Sequence, residues 1–290
     1  MRNGGQMRVY RSLLFVPAHQ LRFINHAPAC AADLVLLDLE DSVPAKEKPE
    51  ARVLFKKNLE FLKAHESRVA VRINRPLDDC LLDLEAVVRK GVEALLLPKV
   101  LGPDHICLLD ESIAKLEQKR GLLVGGIKVV AMIESLAALH RVDAIAAACP
   151  RLAALALGSE DLSLDGHFEP TSKNLWGPSQ AIVFAARLAG VQAWGFPGSI
   201  ANIDELENFA LQLEQGKSMG FDGVMCIHPK QVEVVNRVYA LTDIDILTAR
   251  KIVHAYELAE SKGQGAVEVD GKMVDLPVLE RARRTLEMIA

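Results

Sequence analysis

Apolar runs alternate with helix-like segments along almost the whole of this 290-residue chain, and that alternation leaves few folds open. Eight runs rich in apolar residues recur, at 11–17, 34–40, 68–74, 93–100, 127–134, 152–158, 191–197 and 221–229. Nearly continuous apolar runs are typical of parallel strands that are buried on both faces. The segments between them, such as 47–65 and 204–220, have the periodicity of helices. The pattern therefore predicts repeated βαβ units and a parallel sheet.

Two α/β architectures fit this pattern, a doubly wound open sheet and a (β/α)8 TIM barrel. Eight units within residues 1–240 match the barrel, for which about 250 residues are typical. A glycine-rich G-x-G-x-x-G turn does not follow the first run, which makes a dinucleotide-binding sheet the weaker alternative. We therefore predict a TIM-barrel catalytic domain over residues 1–240.

The pattern changes in residues 241–290, which predict a C-terminal helical extension. A helix is expected to begin at Thr242 or Asp243, and an Asp-Gly turn at 270–271 indicates a hairpin before a final helix. A segment of about 50 residues is too small to fold alone. We expect it to pack on the barrel, over its mouth, or on a neighbouring subunit.

Composition excludes several classes of function. The formal net charge is −4 and no run is rich in Lys or Arg, so a nucleic-acid partner is not expected. No stretch approaches the about 18 apolar residues of a membrane span, and the first residues lack the apolar core of a signal peptide. The five cysteines are scattered without metal-ligand or disulfide spacing. These features predict a cytoplasmic protein without a membrane partner.

Polar and charged residues follow nearly every predicted strand. In a TIM barrel the active site lies at the carboxyl ends of the strands, so these side chains are expected to converge. They are His19, Asp38, Glu40, Asp41, Arg72, Asn74, Lys99, Glu134, Glu160, Asp161 and His228. Oxygen ligands favour a hard cation such as Mg²⁺ or Mn²⁺, whereas zinc-type Cys and His pairs are missing from the sequence. An arginine beside such a metal suits a substrate carboxylate and predicts enolate chemistry.

Eight sequence segments, in this order, resemble the citrate lyase β-subunit-like family, which includes malyl-CoA and citramalyl-CoA lyases and is related to the HpcH/HpaI aldolases. The segments are RSLLFVPAH, LVLLDLEDSVP, VAVRIN, LLLPKV, AMIES, LALGSEDLS, GFDGVMCIHPKQVEVVNRVY and VDGKMVDLPVLERAR. The resemblance runs from about residue 11 to residue 287. It implies a TIM-like barrel that binds Mg²⁺ and makes or breaks a carbon–carbon bond between an acyl-CoA and a 2-oxo acid.

The resemblance also implies roles for individual residues. Glu134 and Asp161 match the metal ligands, and Arg72 matches the arginine that holds the 2-oxo acid carboxylate, with Glu134 beside it in the substrate-binding site. Glu40 and Asp41 match a catalytic acidic pair close to the metal. The expected reaction is a metal-assisted cleavage in which a base takes the hydroxyl proton of a 3-hydroxyacyl-CoA, which releases a 2-oxo acid and the enolate of acetyl-CoA.

The ends of the resemblance carry further expectations. Asp275 matches an aspartate that reaches a neighbouring subunit's site and is the candidate to protonate the enolate, which implies a trimer or hexamer. Arg11, His19 and Arg22 are expected near the CoA phosphates. The chain departs from the family at Ser179, where many members have arginine, and at Gly195, where the seventh strand usually supplies aspartate.

Alternatives stay open for the function and for single residues. Malyl-CoA thioesterase, the β subunit of a multichain citrate lyase and a non-catalytic barrel scaffold compete with the lyase. Arg72 has an ion pair within the barrel as its structural alternative, and Asp275 has the N-cap of the last helix. Asp38 and Lys99 are divided between structural and functional roles, whereas Glu160 and His228 are assigned structural ones.

Overall fold

The computed structural model describes residues 7–287, and all eight predicted strands form in it. They are β1 (Ser12–Pro17), β2 (Leu34–Asp38), β3 (Val69–Arg72), β4 (Val92–Leu97), β5 (Lys128–Ile133), β6 (Leu152–Leu157), β7 (Gln192–Trp194) and β8 (Val224–Cys226). Each strand pairs in parallel with the next along the chain through β7, and β1 also pairs with β8. An isolated parallel bridge between Trp194 and Gly223 joins the last two strands. The predicted (β/α)8 barrel is therefore confirmed.

Helices occupy the connections between the strands. They are α1 (Leu21–His26), α2 (Lys48–Ala64), α3 (Leu77–Val87), α4 (Pro103–Lys119), α5 (Leu136–His140), α6 (Val142–Ala146), α7 (Ser159–Asp165), α8 (Ser172–Ala189), α9 (Leu206–Met219) and α10 (Pro229–Tyr239). Short 3-10 turns cover Ala27–Cys30 and Ala45–Glu47. The predicted end of α9 is confirmed, because Gly220 follows it in the left-handed region at φ 106°.

The barrel interior is filled by every second residue of the strands, because successive side chains of a strand point to opposite faces. A single buried cluster contains Leu34 and Leu36 of β2, Ala70 of β3, Val130 and Met132 of β5, and Ala154 and Ala156 of β6. The next inward-facing positions, two residues further along each of these strands, are Asp38, Arg72, Glu134 and Gly158, which form the layer above that cluster. The apolar core thus ends where charged side chains begin.

The chain divides into two compact units, with the boundary between Val238 and Tyr239. In the second unit, helix α11 (Asp243–Glu260) begins with a capping box between Thr242 and Asp245. A hairpin of β9 (Val267–Val269) and β10 (Lys272–Val274) turns at 270–271, and α12 (Leu276–Glu287) follows. Its small apolar core comprises Tyr256, Val269, Val274 and Leu279. The predicted helix start and the Asp-Gly hairpin are both confirmed.

Among residues 7–287, no helix combines the length and the apolar composition that crossing a bilayer would require.

Candidate active site at the carboxyl ends of the barrel strands

A cavity of about 320 Å³ opens at the carboxyl ends of the strands, and all of its lining residues belong to the first unit. The charged residues along it are Asp38, Asp41, Arg72, Glu134, Glu160 and Asp161. A volume of this size is typical of a small-molecule site. Most of the charged residues predicted to converge therefore do lie around one cavity.

Arg72 is held in the cavity wall by Asp38, its direct partner in the register of β2 and β3. Its Nε donates to Oδ1 of Asp38 at 2.7 Å, and its Nη2 donates to Oδ2 at 2.6 Å. The guanidinium also lies over the ring of Phe15, 4.7 Å from its centroid. Asp38 is fully buried, and it also accepts the backbone N–H groups of Glu40 and Ser42. Asp38 thus fixes both the arginine and the loop that follows β2.

Glu40 and Asp41 lie between two cations. Oε2 of Glu40 is 3.0 Å from Nη1 of Arg72, and Nζ of Lys99 contacts Oε1 of Glu40 at 2.5 Å and Oδ1 of Asp41 at 3.2 Å. Burial raises the pKa of Glu40, and a hydrogen bond shared with Asp41 adds to this despite the opposing charge of Arg72. Burial also acts to raise the pKa of Asp41, but the hydrogen bond with Glu40 and the two cations outweigh it and lower that pKa. Of the two carboxylates, Glu40 therefore has the greater affinity for a proton.

Glu134 follows β5 and is 4% exposed. One of its oxygens accepts the backbone N–H of Lys99, whose φ of 50° lies in the left-handed region. A Cβ atom at position 158 would lie only 2.6 Å from Oε2 of Glu134, so the space beside this carboxylate requires Gly158. Burial, followed by the charges of Asp161 and Glu40, raises the pKa of Glu134 to about 7 despite the amide of Lys99.

Asp161 lies in the first turn of α7 and lines the same cavity as Glu134. Within residues 7–287, Oε2 of Glu134 and the carboxylate of Asp161 have no hydrogen-bond or ion-pair partner. Two carboxylates that repel each other and offer only oxygen donors fit a hard cation such as Mg²⁺, which keeps several waters and takes one or two protein carboxylates. The same residues contain no group of three or more His, Cys, Asp or Glu placed to hold a metal. The arrangement therefore fits a two-ligand site.

The three residues expected near CoA phosphates lie in different places. Arg11 precedes β1 and forms an ion pair with Asp33 at 2.8 Å, about 20 Å of strand away from the cavity end. The expected phosphate contact of Arg11 finds no support in this position. His19 and Arg22 follow β1 at its cavity end. Nε2 of His19 is 3.4 Å from Oε2 of Glu47, and Arg22 is exposed on α1 over the ring of Phe23.

Asp275 is the N-terminal residue before α12, and its Oδ1 accepts the backbone N–H of Val278 at 3.3 Å. This hydrogen bond is the one expected if Asp275 is the N-cap of the last helix. Ser179 is fully buried in α8, and its hydroxyl has no hydrogen-bond partner among the described residues. At Gly195, with φ 144°, an added Cβ would lie 2.9 Å from Cβ of Leu157. The packing around β7 therefore excludes a side chain at Gly195.

Sequence reasoning missed the double role of Lys99, whose amide holds Glu134 and whose ammonium holds the acidic pair. It also missed Gly158, although the GSED segment was recognised. A further buried contact explains Asn74, whose Nδ2 donates to the carbonyl of Leu39 at 2.8 Å and to Asp83 at 2.7 Å. Asn74 thereby supports the loop after β2 from the side of α3. The only sequence signal for these roles was the position of Lys99 and Asn74 at the ends of predicted strands.

The fold and the site define the class of protein: a (β/α)8 barrel with a carboxylate pair and a partly buried arginine at the mouth of the barrel. Residues 11–229 match the model of the HpcH/HpaI aldolase/citrate lyase family, and the chain belongs to that family. It is 36% identical to citrate lyase subunit beta of Haemophilus influenzae over 285 residues, 97% of each chain. It is 33% identical to a (3S)-malyl-CoA thioesterase of Cereibacter sphaeroides, over 97% of this chain and 95% of that one.

A solved structure extends the likeness. CitE from Mycobacterium tuberculosis, in complex with magnesium, acetoacetate and coenzyme A, superposes with a TM-score of 0.74 and 28% identity over 99% of this chain and 98% of that chain. These relatives are named as enzymes, and the CitE structure contains magnesium, the type of metal that the carboxylates of Glu134 and Asp161 fit.

Proposed function

We propose that the chain is a Mg²⁺-dependent CoA-ester lyase, with Mn²⁺ as an alternative metal. It cleaves or forms a carbon–carbon bond between the enolate of an acetyl-CoA-type thioester and a 2-oxo acid, with malyl-CoA or citramalyl-CoA as the substrate. The observation that carries the proposal is the meeting of Glu134, Asp161 and Arg72 around one cavity at the carboxyl ends of the strands.

Glu134 and Asp161 are the proposed metal ligands. When bound there, a divalent cation supplies stabilisation of developing oxyanion charge, which is worth several kcal/mol in metalloenzymes. The chain contributes the two carboxylates in the space that Gly158 leaves open, and the amide of Lys99 fixes one oxygen of Glu134. Because protonated Glu134 is a poor ligand, occupancy of this site is expected to increase as the pH rises through about 7.

Arg72 is proposed to orient the carboxylate of the 2-oxo acid portion. Asp38 occupies the edge formed by Nε and Nη2, and Oε2 of Glu40 lies 3.0 Å from Nη1, so a substrate carboxylate would approach the edge formed by Nη1 and Nη2 beside Glu40. The guanidinium is planar, and it binds carboxylates with two parallel hydrogen bonds. Phe15 beneath its face and Asp38 along one edge limit its motion. The arginine is thus preorganised to hold the substrate in one orientation.

The pair of Glu40 and Asp41 is proposed to accept the hydroxyl proton as the carbon–carbon bond breaks. Asp41 lines the cavity, and Glu40 lies behind it with a raised pKa. The bonding electrons then form the enolate of the thioester, and Asp275 is proposed to return a proton to its carbon. As the resemblance implies, Asp275 acts at the site of a second copy of the chain, in a trimer or hexamer.

To test the proposal, the purified protein is incubated with malyl-CoA or citramalyl-CoA, in the presence of Mg²⁺ or of a chelator. A lyase produces a 2-oxo acid and acetyl-CoA in equal amounts without free thiol, and chelation abolishes both products. The 2-oxo acid is quantified as its phenylhydrazone and the thiol with a colorimetric reagent. Absence of turnover with either ester in the presence of Mg²⁺ would refute the proposal.

Two other functions have specific support from the relatives, since the chain resembles a malyl-CoA thioesterase and citrate lyase β subunits. The same assay separates the first, because a thioesterase releases free thiol and malate and forms no 2-oxo acid. A citrate lyase β subunit would require citryl groups on a carrier protein and would leave the free CoA esters unchanged. A scaffold would convert none of these substrates.

A mixing experiment tests the shared site. Arg72→Lys and Asp275→Asn variants are each expected to be inactive. If one chain supplies Arg72 and another supplies Asp275, unfolding and refolding the two variants together should restore part of the activity. Restoration absent from a mixture that has demonstrably formed mixed oligomers would show that each chain uses its own aspartate, or none.

A further inference from the structure

The cavity has two chemically different walls. The polar wall comes from β2, β3, β5 and the start of α7, and it carries the charged residues described above. A second wall, called the apolar wall here, is formed by Leu157, Phe196, Ile200, Met225 and Ile227. Leu157 ends β6, Met225 lies within β8, and the other three residues follow β7 or β8. A substrate that enters the cavity therefore meets ions on one side and hydrocarbon on the other.

The apolar wall is fixed by buried contacts. Gln231 is fully buried, its Nε2 donates to the carbonyl of Ile200 at 2.8 Å, and its Oε1 accepts the N–H of Ile227 at 2.9 Å. The ring of Phe196 packs edge-on against Phe209, with 5.2 Å between the centroids. Position 195 cannot carry a side chain, because an added Cβ would contact Leu157 at 2.9 Å. The wall is therefore preformed, and no polar group can extend from the end of β7 at that position.

The cavity offers one anchoring point for a carboxylate. Among the described residues that line it, Arg72 is the only cation, and it already binds Asp38 through Nε and Nη2 and lies 3.0 Å from Glu40 through Nη1. The ammonium of Lys99 is taken by Glu40 and Asp41. A second substrate carboxylate would face either Asp41, Glu134 and Asp161 or the apolar wall. Both positions are unfavourable, because a desolvated carboxylate needs a partner.

Resting on the proposed function, we infer that the 2-oxo acid handled at this site is a monocarboxylate with a small apolar substituent, a methyl group in the simplest case, and not a dicarboxylate. Arg72 binds the single carboxylate, and the substituent lies against Ile200, Ile227 and their neighbours. The matching thioester bears an alkyl group on its hydroxyl-bearing carbon. Citramalyl-CoA is the simplest ester of this class.

The test compares three CoA esters that differ only in that substituent: malyl-CoA with hydrogen, citramalyl-CoA with methyl, and citryl-CoA with carboxymethyl. With Mg²⁺ present and 2-oxo acid release as the readout, kcat/KM should be highest for citramalyl-CoA. It should exceed that of malyl-CoA about 10-fold, the effect of one buried carbon, and that of citryl-CoA about 100-fold or more.

An Ile227→Lys variant provides a second test, which does not depend on the order of kcat/KM among the three esters for the wild-type protein. The side chain of Ile227 is 44% exposed, so a lysine is tolerated there and places an ammonium on the apolar wall. We expect the ratio of kcat/KM for citryl-CoA to that for citramalyl-CoA to rise at least about 10-fold. Leu188→Lys, at an 83% exposed position on α8 away from the cavity, is the matched control and should leave the ratio unchanged.

The outcomes separate the two proposals. Turnover that is equal or faster with citryl-CoA, or fastest with malyl-CoA, would overturn the inference and leave the lyase function intact. An Ile227→Lys ratio equal to that of the control would also overturn it. Absence of turnover with all three esters would refute the lyase function, and the inference would fail with it.

Discussion

Two buried ionic clusters lie at opposite ends of the barrel, and they differ in how their charges are compensated. The amino-end cluster consists of Arg151, which precedes β6, with Asp110 and Glu117. Arg151 donates to Asp110 at 2.5 Å and to Glu117 at 2.9 Å, and the amides of Gly125 and Ile127 complete the hydrogen bonds of Glu117. One cation thus faces two carboxylates, and one negative charge remains.

The rim cluster at the carboxyl end is larger and less compensated. It consists of Arg72, Lys99, Asp38, Glu40, Asp41, Glu134 and Asp161. Two cations face five carboxylates, so three formal negative charges remain. Bound Mg²⁺ would leave one negative charge, the same net charge as in the amino-end cluster. A closed cluster such as that of Arg151 is structural, whereas unpaired carboxylates beside a cavity indicate a ligand.

The largest difference between the clusters is expected from the same substitution made in each. Glu134→Gln should lower the rate of 2-oxo acid release about 1,000-fold or more, since it removes a metal ligand worth several kcal/mol. The free energy of unfolding should not fall, because the variant removes a buried, poorly compensated charge. Rates are measured with saturating ester and Mg²⁺, and stability by urea denaturation. Near-normal turnover in this variant would contradict the metal assignment.

Glu117→Gln is the counterpart at the amino end. It leaves Arg151 with a single carboxylate partner in a buried site, so the free energy of unfolding should fall by about 3 kcal/mol. The turnover of the folded fraction should stay within about twofold of wild type, because the cluster lies at the other end of the strands. Lys56→Met, in an exposed pair on α2, should change stability by less than about 0.5 kcal/mol and serves as the control. A Glu117→Gln variant that lost turnover but kept its stability would contradict a purely structural role for the amino-end cluster.

The pH dependence of the free energy of unfolding provides a further test of the rim cluster. Burial raises the pKa of Glu134 from 4.5 to about 7, so the folded chain binds more protons than the unfolded chain between these values. The free energy of unfolding of the metal-free protein should therefore decrease as the pH rises through this window, by up to about 3 kcal/mol from this group. Below pH 4.5 the stability contribution is complete, and above pH 7 it is lost. The quantity to measure is the difference between wild type and Glu134→Gln, which should show this slope. A flat difference would contradict it.

The smallest effect is expected at Lys99, which links the acidic pair to Glu134. Lys99→Asn removes the ammonium but tolerates the left-handed backbone, where φ is 50°. Because the lysine side chain is 41% exposed, the free energy of unfolding should change by less than about 1 kcal/mol. The rate of cleavage should fall about 10-fold, as the acidic pair loses one of its cations. Lys99→Arg, which keeps the charge, should recover most of the rate if the ammonium acts through its charge.

Much of the fold was predictable from sequence, because buried parallel strands are marked by apolar runs. The meeting of Asp38, Arg72 and Glu134 was also within reach, since each ends an inward-facing series of period two. The contacts that each of these residues makes could not be predicted from the sequence. That Asp38 and Arg72 pair requires the register of β2 against β3, and the role of Lys99 depends on a left-handed backbone that a lysine rarely adopts. Arg11 was expected near the CoA phosphates from the resemblance alone, and its position before β1, at the amino end of that strand, gives this expectation no support.

Titration with Mn²⁺, followed by electron paramagnetic resonance, measures whether Glu134 and Asp161 hold a hard divalent cation. We expect one Mn²⁺ bound per wild-type chain at pH 8, affinity at least about 100-fold weaker in Glu134→Gln and in Asp161→Asn, and unchanged affinity in Glu117→Gln. Equal Mn²⁺ affinity in wild type, Glu134→Gln and Asp161→Asn would contradict it.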